Sequence, residues 1–457
     1  MGAQHSRPAN GSEMASIIDV RPNDAPKDRT RWGERLPQLL ANRRGHVVAL
    51  ALFYLLLSVE YYRFVYGCFS LRMGFQFGYT PVTLLVGFFL MVLLGLVLYF
   101  MPERDDNRYA VSMIVGLFGC IPQTILYQIG QASIFGSLYA LLFVVLLSIP
   151  SLRIPPFRLS RLSEGRRLWL VVLLCVAALL PFVLNYGLPR DLSVLSMDEH
   201  IYDVRQAYRS QGSLLTAYLQ GPLCKVLLPM LIVLGMSKMR ERWWLLLLGL
   251  AGMVYLFLTN PEKSIFFSIA VVLLCYPFAK GESKAGVLLY GLLGASLLAV
   301  LLQLLMGQVM PESVLVRRLF FIPALVTDAY FAFFDQAPLM LSHSVLGSLF
   351  EYPYSVEPSH LIGQMMYARD TINCNAGIFA DGFMNFGHIG AILFVGAAAF
   401  VVQLFEAAEY DGRYFGLVAL FVFTLLNSAL FTTLLTHGGW CLLLVMLFVV
   451  PRREAAA

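Results

Sequence analysis

The sequence predicts an all-α, polytopic integral membrane protein with about twelve transmembrane helices. Three observations carry that fold class. Of 457 residues, 58% are hydrophobic and only 13% are charged, against about 25% charged in an ordinary soluble domain. The apolar residues run unbroken over stretches near the length that crosses a bilayer, about 20 residues. A β-barrel would instead show alternating segments of about ten residues. Finally, the basic residues segregate between the apolar runs, as the positive-inside rule requires.

The elements follow in order. Residues 1–45 are polar and carry eight Lys or Arg. They lack an apolar h-region, so they read as a disordered cytoplasmic tail and not as a cleaved signal peptide. Spans are expected at 46–68, 80–101, 109–128, 132–150, 168–187, 214–236, 243–259, 264–279, 286–306, 386–405, 413–431 and 433–450, within a helical domain 46–450. Residues 451–457 form a short C-terminal tail. With both termini cytoplasmic, 23 of the 33 Lys and Arg fall inside. The net charge of +5 is therefore mostly topology and points to no nucleic-acid partner. The seven cysteines are scattered, with no CxxC pair, which fits small core residues and no disulfide or metal framework. Neither GxxxxGK[ST] nor GxGxxG occurs, so direct use of cytoplasmic nucleotides is not expected.

Two outward loops exceed turn length, 188–213 and 307–385, and long loops are usually functional. The larger begins with Arg317-Arg318 and runs to Tyr330-Phe331-Ala332-Phe333-Phe334-Asp335. Its charged ends predict an aromatic helix lying in the membrane interface. Ser342-His343-Ser344 and Asn375-Ala376-Gly377-Ile378-Phe379-Ala380-Asp381-Gly382 follow. Polar groups interleaved with apolar ones beside a bilayer suit a lipid-linked substrate.

Arg317-Arg318, Pro323, Tyr330-Phe331, Phe334, Pro338, Ser342-His343-Ser344 and Asn375 to Phe383, then Gly387 and Gly390, together resemble the bacterial O-antigen and exopolysaccharide repeat-unit polymerases of the Wzy type. Tyr202-Asp203-Val204-Arg205 and Asn260-Pro261-Glu262-Lys263-Ser264 are similar to the smaller outer loops of that family. The resemblance covers about residues 185–400. It implies a GT-C-like glycosyltransferase of the bacterial inner membrane with its large loop in the periplasm. Such an enzyme would join undecaprenyl-diphosphate-linked oligosaccharide repeats, using no cofactor. Membrane lipid and a chain-length regulator protein are the further partners implied. The related O-antigen ligases, which pass a finished chain to another acceptor, are the nearest alternative. A lipid-linked oligosaccharide flippase or secondary transporter is the alternative of a different class. Transporters tend to show repeats and midplane polar groups; no repeat stands out here.

The chemistry narrows the candidates. A departing lipid diphosphate accumulates negative charge, which guanidinium groups stabilise bidentately. Arg205, Arg317, Arg209 and Arg318 are outward, although such residues also snorkel to headgroups. If they supply the charge, no metal is required. An attacking hydroxyl benefits from a base. His343 leads, and Asp381 serves equally well as a helix cap. Lys263 at an outer turn can bind diphosphate, and Tyr330 can stack on a sugar. Asp335 and Asn375 complete the substrate-binding set. Lys225, inside a span after Pro222, either faces an aqueous cavity or marks a later span start. His388 and His437 read as packing or capping residues.

Overall fold

The computed structural model describes residues 38–102, 107–157, 159–188, 204, 210–262, 264–278, 281–344, 346–369 and 372–453. Among them the chain is helical, with no named strand. Residues 1–37 of the expected disordered tail lie outside the described residues, as do residues 454–457 of the C-terminal tail; the last part of the expected tail is instead ordered, with a helix starting at Arg43 capped by Asn42.

Eight helices are long and apolar enough to cross a membrane. They are α1 (Arg43–Leu71), α2 (Pro81–Phe100), α3 (Arg108–Gln128), α5 (Glu164–Tyr186), α6 (Leu214–Ser237), α7 (Met239–Thr259), α9 (Glu282–Met306) and α12 (Ile378–Ala407). Four more apolar helices coincide with the other expected spans but are shorter: α4 (Phe135–Ser148), α8 (Ser264–Cys275), α13 (Gly412–Asn427) and α15 (Gly439–Val449). The expected count of twelve is thus reduced to eight of full length. The reason is geometric: at about 1.5 Å per residue, a 14-residue helix such as α4 reaches about 21 Å, well short of a hydrocarbon core of about 30 Å.

Local sequence explains several boundaries. Thr80 and Thr83 form a reciprocal capping box ahead of Pro81 at the start of α2, the position where a missing N–H costs nothing. Ser213 and Thr216 do the same for α6. Helix α12 bends sharply at Phe386 and Gly387, where Gly387 takes φ 61°. Its first two turns fold against the rest so closely that a Cβ on Gly382 would lie 2.6 Å from the Gly390 carbonyl. The span expected to begin at 386 therefore begins at a hinge.

The largest departure concerns residues 307–385. Helix α10, residues 309–334, is not an interfacial helix on an outer loop. It is built into the bundle, with Phe320, Phe321, Tyr330 and Phe334 all buried. Phe320 stacks on Phe118 of α3 at 5.3 Å and meets Phe53 of α1 edge-on. One of its charges is buried by pairing: Glu312 accepts from Arg63 of α1 at 2.6 Å, and Arg63 also binds Gln303 of α9 at 2.7 Å. Outside the bundle this leaves residues 335–377, with α11 (Pro358–Tyr367) among them.

The two ends of the bundle are distinguishable by contacts. At one end Arg43 pairs with Glu282 at 2.6 Å. Lys284 donates to Asn107 Oδ1 at 2.9 Å, and the Asn107 N–H donates to Glu406. The Asp411 N–H reaches the Pro451 carbonyl. Both described termini thus lie at this end. The opposite end holds Glu312, Arg317 and the start of α12.

Candidate functional site: an arginine cavity at the far end of the bundle

The cavity begins with a helical irregularity. Residues Ser313–Phe321 of α10 form a π-helical stretch, a feature frequent at functional sites. It turns two consecutive arginines to different surroundings. Arg318 is exposed, whereas Arg317 is only 4% exposed.

The Arg317 guanidinium is fixed without a carboxylate. Its Nε and Nη2 donate to Ser313 Oγ at 3.1 and 2.7 Å. Nη1 donates to Met73 Sδ at 2.8 Å, and the plane sits 4.1 Å over the Phe69 ring. No described residue forms an ion pair with it. Burial pulls its pKa down, and the neighbouring Arg318 charge adds to that; arginine nonetheless stays a cation. A buried cation is normally paired or destabilising. Here the guanidinium retains N–H groups beyond those three bonds and lines a cavity of about 410 Å³.

The opposite wall is the segment 372–377. Tyr330 donates its hydroxyl to the Cys374 carbonyl at 2.8 Å, which fixes this segment over α10. At Gly377 a Cβ would come within 2.3 Å of the Leu426 carbonyl. Only glycine permits that approach, and it sets Asn375 and Asn427 on the same cavity wall. Arg317, Arg318, Asn375 and Asn427 thus offer donors to an anion and its attached hydroxyls, beside an apolar side of Ile322, Pro323 and Val326.

The expected site residues divide accordingly. Arg317, Arg318 and Asn375 share the cavity. Tyr330 is buried with its hydroxyl engaged, so it positions a wall and presents no face to a sugar. Asp381 is 2% exposed and forms a clasp. One carboxylate oxygen accepts from the Leu430 N–H at 2.8 Å, capping α14 (Leu430–Leu435). The other accepts from Asn385 at 3.1 Å, and Asn385 Oδ1 accepts from the Leu341 N–H. That geometry matches the capping alternative for Asp381, with no free oxygen turned to the cavity.

His343 is half-buried against Tyr352, with ring centroids 6.2 Å apart. Burial lowers its pKa, opposed by Glu357, so the neutral form is favoured. It does not line the arginine cavity. Asp335 is exposed at the end of α10, bonded to Gln336. Arg205, Arg209 and Lys263 lie outside the described residues.

The sequence reading does not single out Asn427 and takes His437 as a packing or capping residue. Asn427 ends an apolar helix and carries no local signal. His437 is followed by Gly438-Gly439, a turn signal that could have marked it as a loop residue. Scans against protein-family models, curated proteins and solved structures returned no match.

Proposed function

We propose that this membrane-embedded protein is a glycosyltransferase that polymerises undecaprenyl-diphosphate-linked oligosaccharide repeats at the periplasmic face of a bacterial inner membrane. The GT-C-like arrangement, with the four short helices completing twelve crossings, belongs to the same reading. The observation that carries it is Arg317: a buried guanidinium with no carboxylate among the described residues, open to a cavity beside Arg318 and Asn375. In the reaction an acceptor hydroxyl oxygen attacks the anomeric carbon of the donor sugar. The carbon–oxygen bond to the lipid diphosphate breaks, its electron pair stays on the diphosphate, and the proton of the attacking hydroxyl passes to a diphosphate oxygen or to water. Arg317 and Arg318 stabilise the charge that develops there. The apolar side of the cavity accommodates the first part of the lipid.

Deletion of the gene tests this reading. Surface polysaccharide should lose its long-chain ladder on a gel while one attached repeat remains. Loss of every attached chain would assign ligation instead. An unchanged ladder would remove the proposal.

A further inference from the structure

A second cavity of about 390 Å³ lies between α6, the turn 260–264 and the loop ahead of α15. It is not part of the arginine cavity, and its chemistry differs. Among the described residues its lining is dense in neutral hydrogen-bonding groups, including Gln220, Asn260, Ser264 and Ser268, with one cation, Lys225, and one carboxylate, Glu262. A diphosphate site would concentrate cations. Many neutral donors and acceptors around a roomy concave surface suit a polyhydroxylated ring, which needs partners for each hydroxyl it brings out of water.

The structure builds this place deliberately. Lys225 sits in a π-helical turn, Leu223–Leu227, directly after Pro222 inside α6. Gly221 has no room for a side chain: a Cβ would lie 2.1 Å from the Thr436 carbonyl and 2.7 Å from His437 Cα. Gly438, at φ 86°, is pressed on Pro222, where a Cβ would lie 2.8 Å from the Pro222 Cα. These approaches hold the 436–439 loop against α6 and bring His437 to the cavity that Lys225 lines. No hydrogen bond or ion pair from a described residue satisfies the Lys225 ammonium or the His437 ring. An ionisable group in a span without such a partner marks a functional site by default.

A smaller chamber of about 160 Å³ shares lining residues with both cavities. It shares Lys225, Ser264, Ser268 and His437 with the second cavity and Asn375 and Asn427 with the arginine cavity. A ligand anchored by its diphosphate at Arg317 therefore has a polar track toward Lys225.

We propose that the cavity lined by Lys225 and His437 is a carbohydrate subsite that holds the hydroxyl-bearing sugar opposite the diphosphate bound at Arg317, meeting it across Asn375 and Asn427. The inference rests on the glycosyl-transfer reading above.

Two lipid probes test it on the full-length protein in nanodiscs. One is the sugar-bearing lipid extracted from membranes of a strain deleted for the gene. The other is undecaprenyl diphosphate without sugar. The variants are Lys225→Met, His437→Asn and Arg317→Gln, each checked for a monodisperse peak and its melting temperature. Lys225→Met or His437→Asn should weaken the sugar-bearing lipid roughly tenfold, as loss of one buried hydrogen-bonding partner does, and leave the bare lipid unchanged. Equal weakening of both lipids, or no change in either, would overturn the subsite. Arg317→Gln should weaken both lipids. If it weakens neither, the arginine reading fails, whatever the other two variants do.

Discussion

Apart from Arg63, which pairs with Glu60 and Glu312 at the far end, the cations at the two ends of the bundle sit in opposite settings. At the end that holds both described termini, Arg43 meets Glu282, and Lys284 meets Asn107 in a network that reaches Glu406. At the other end, Arg317 rests on a serine, a thioether and a phenyl ring, and Lys225 has no hydrogen-bond partner among the described residues. Both pairs of cations belong to largely apolar helices, so burial alone does not separate them. Partnership does. A cation paired across helices ties them together, whereas one without a carboxylate keeps charge and donors that an anion or hydroxyl can engage.

The strongest way to break this comparison is at its most contrasting members. Arg317→Gln should lower polymer formation by about 10²–10³-fold, the usual loss for a donor aimed at developing charge, with the melting temperature little changed. Arg43→Gln should do the reverse: it strands Glu282 and removes the bonds that Arg43 donates to the Tyr99 and Met101 carbonyls at the end of α2, lowering the melting temperature while each folded molecule keeps its activity. Equal activity losses in both variants would erase the distinction between the two ends.

A smaller effect sharpens the comparison at the two lysines. Lys284→Met removes the donor to Asn107 Oδ1 and the cation 4.9 Å from the Phe415 ring. Leaving that buried oxygen unsatisfied should cost about 2 kcal/mol. Lys225→Met removes a cation that no described residue pairs with, so it should leave stability unchanged or raise it. Urea or thermal unfolding of the two variants side by side reads the difference. A Lys225→Met protein as destabilised as Lys284→Met would make Lys225 a structural residue.

Much of this architecture is readable before folding, and the unreadable part has a physical cause. Each expected span coincides with an apolar helix, because a run of apolar residues needs no tertiary information. Helix α10 is different. Glu312, Arg317, Arg318 and Asp328 lower its hydropathy, and only the contact with Arg63, 249 positions away in sequence, makes burial of Glu312 tolerable. No local pattern discloses such a partner. Arg317 was recognisable by residue type and Asp381 by its capping chemistry. The polar track to His437 was not, since it depends on Gly221, Gly377 and Gly438 giving up side-chain volume to three unrelated segments. Four of the expected spans exceed their helices for the same reason: hydropathy records where apolar residues lie and not where a helix ends, as between α14 and α15.

The gentlest probe of the open end is its pH response. Burial, aided by the Lys225 charge, lowers the His437 pKa from the ordinary 6.5 to about 4. Above 6.5 the ring is neutral in both folded and unfolded chains, and stability is unaffected. As pH falls below 6.5, the unfolded chain takes up a proton that the folded chain still refuses. The unfolded state then binds more protons, so stability declines until about pH 4, by an amount on the order of 2 kcal/mol. Melting temperature followed from pH 7 to pH 4 should therefore fall more steeply in the wild type than in His437→Asn. Lys225→Met should give an intermediate slope, because removing the facing cation relieves part of the shift while burial, the larger cause, remains. Parallel slopes in all three proteins would mean that His437 and Lys225 do not face one another, and the open end would lose the pair of groups that sets it apart.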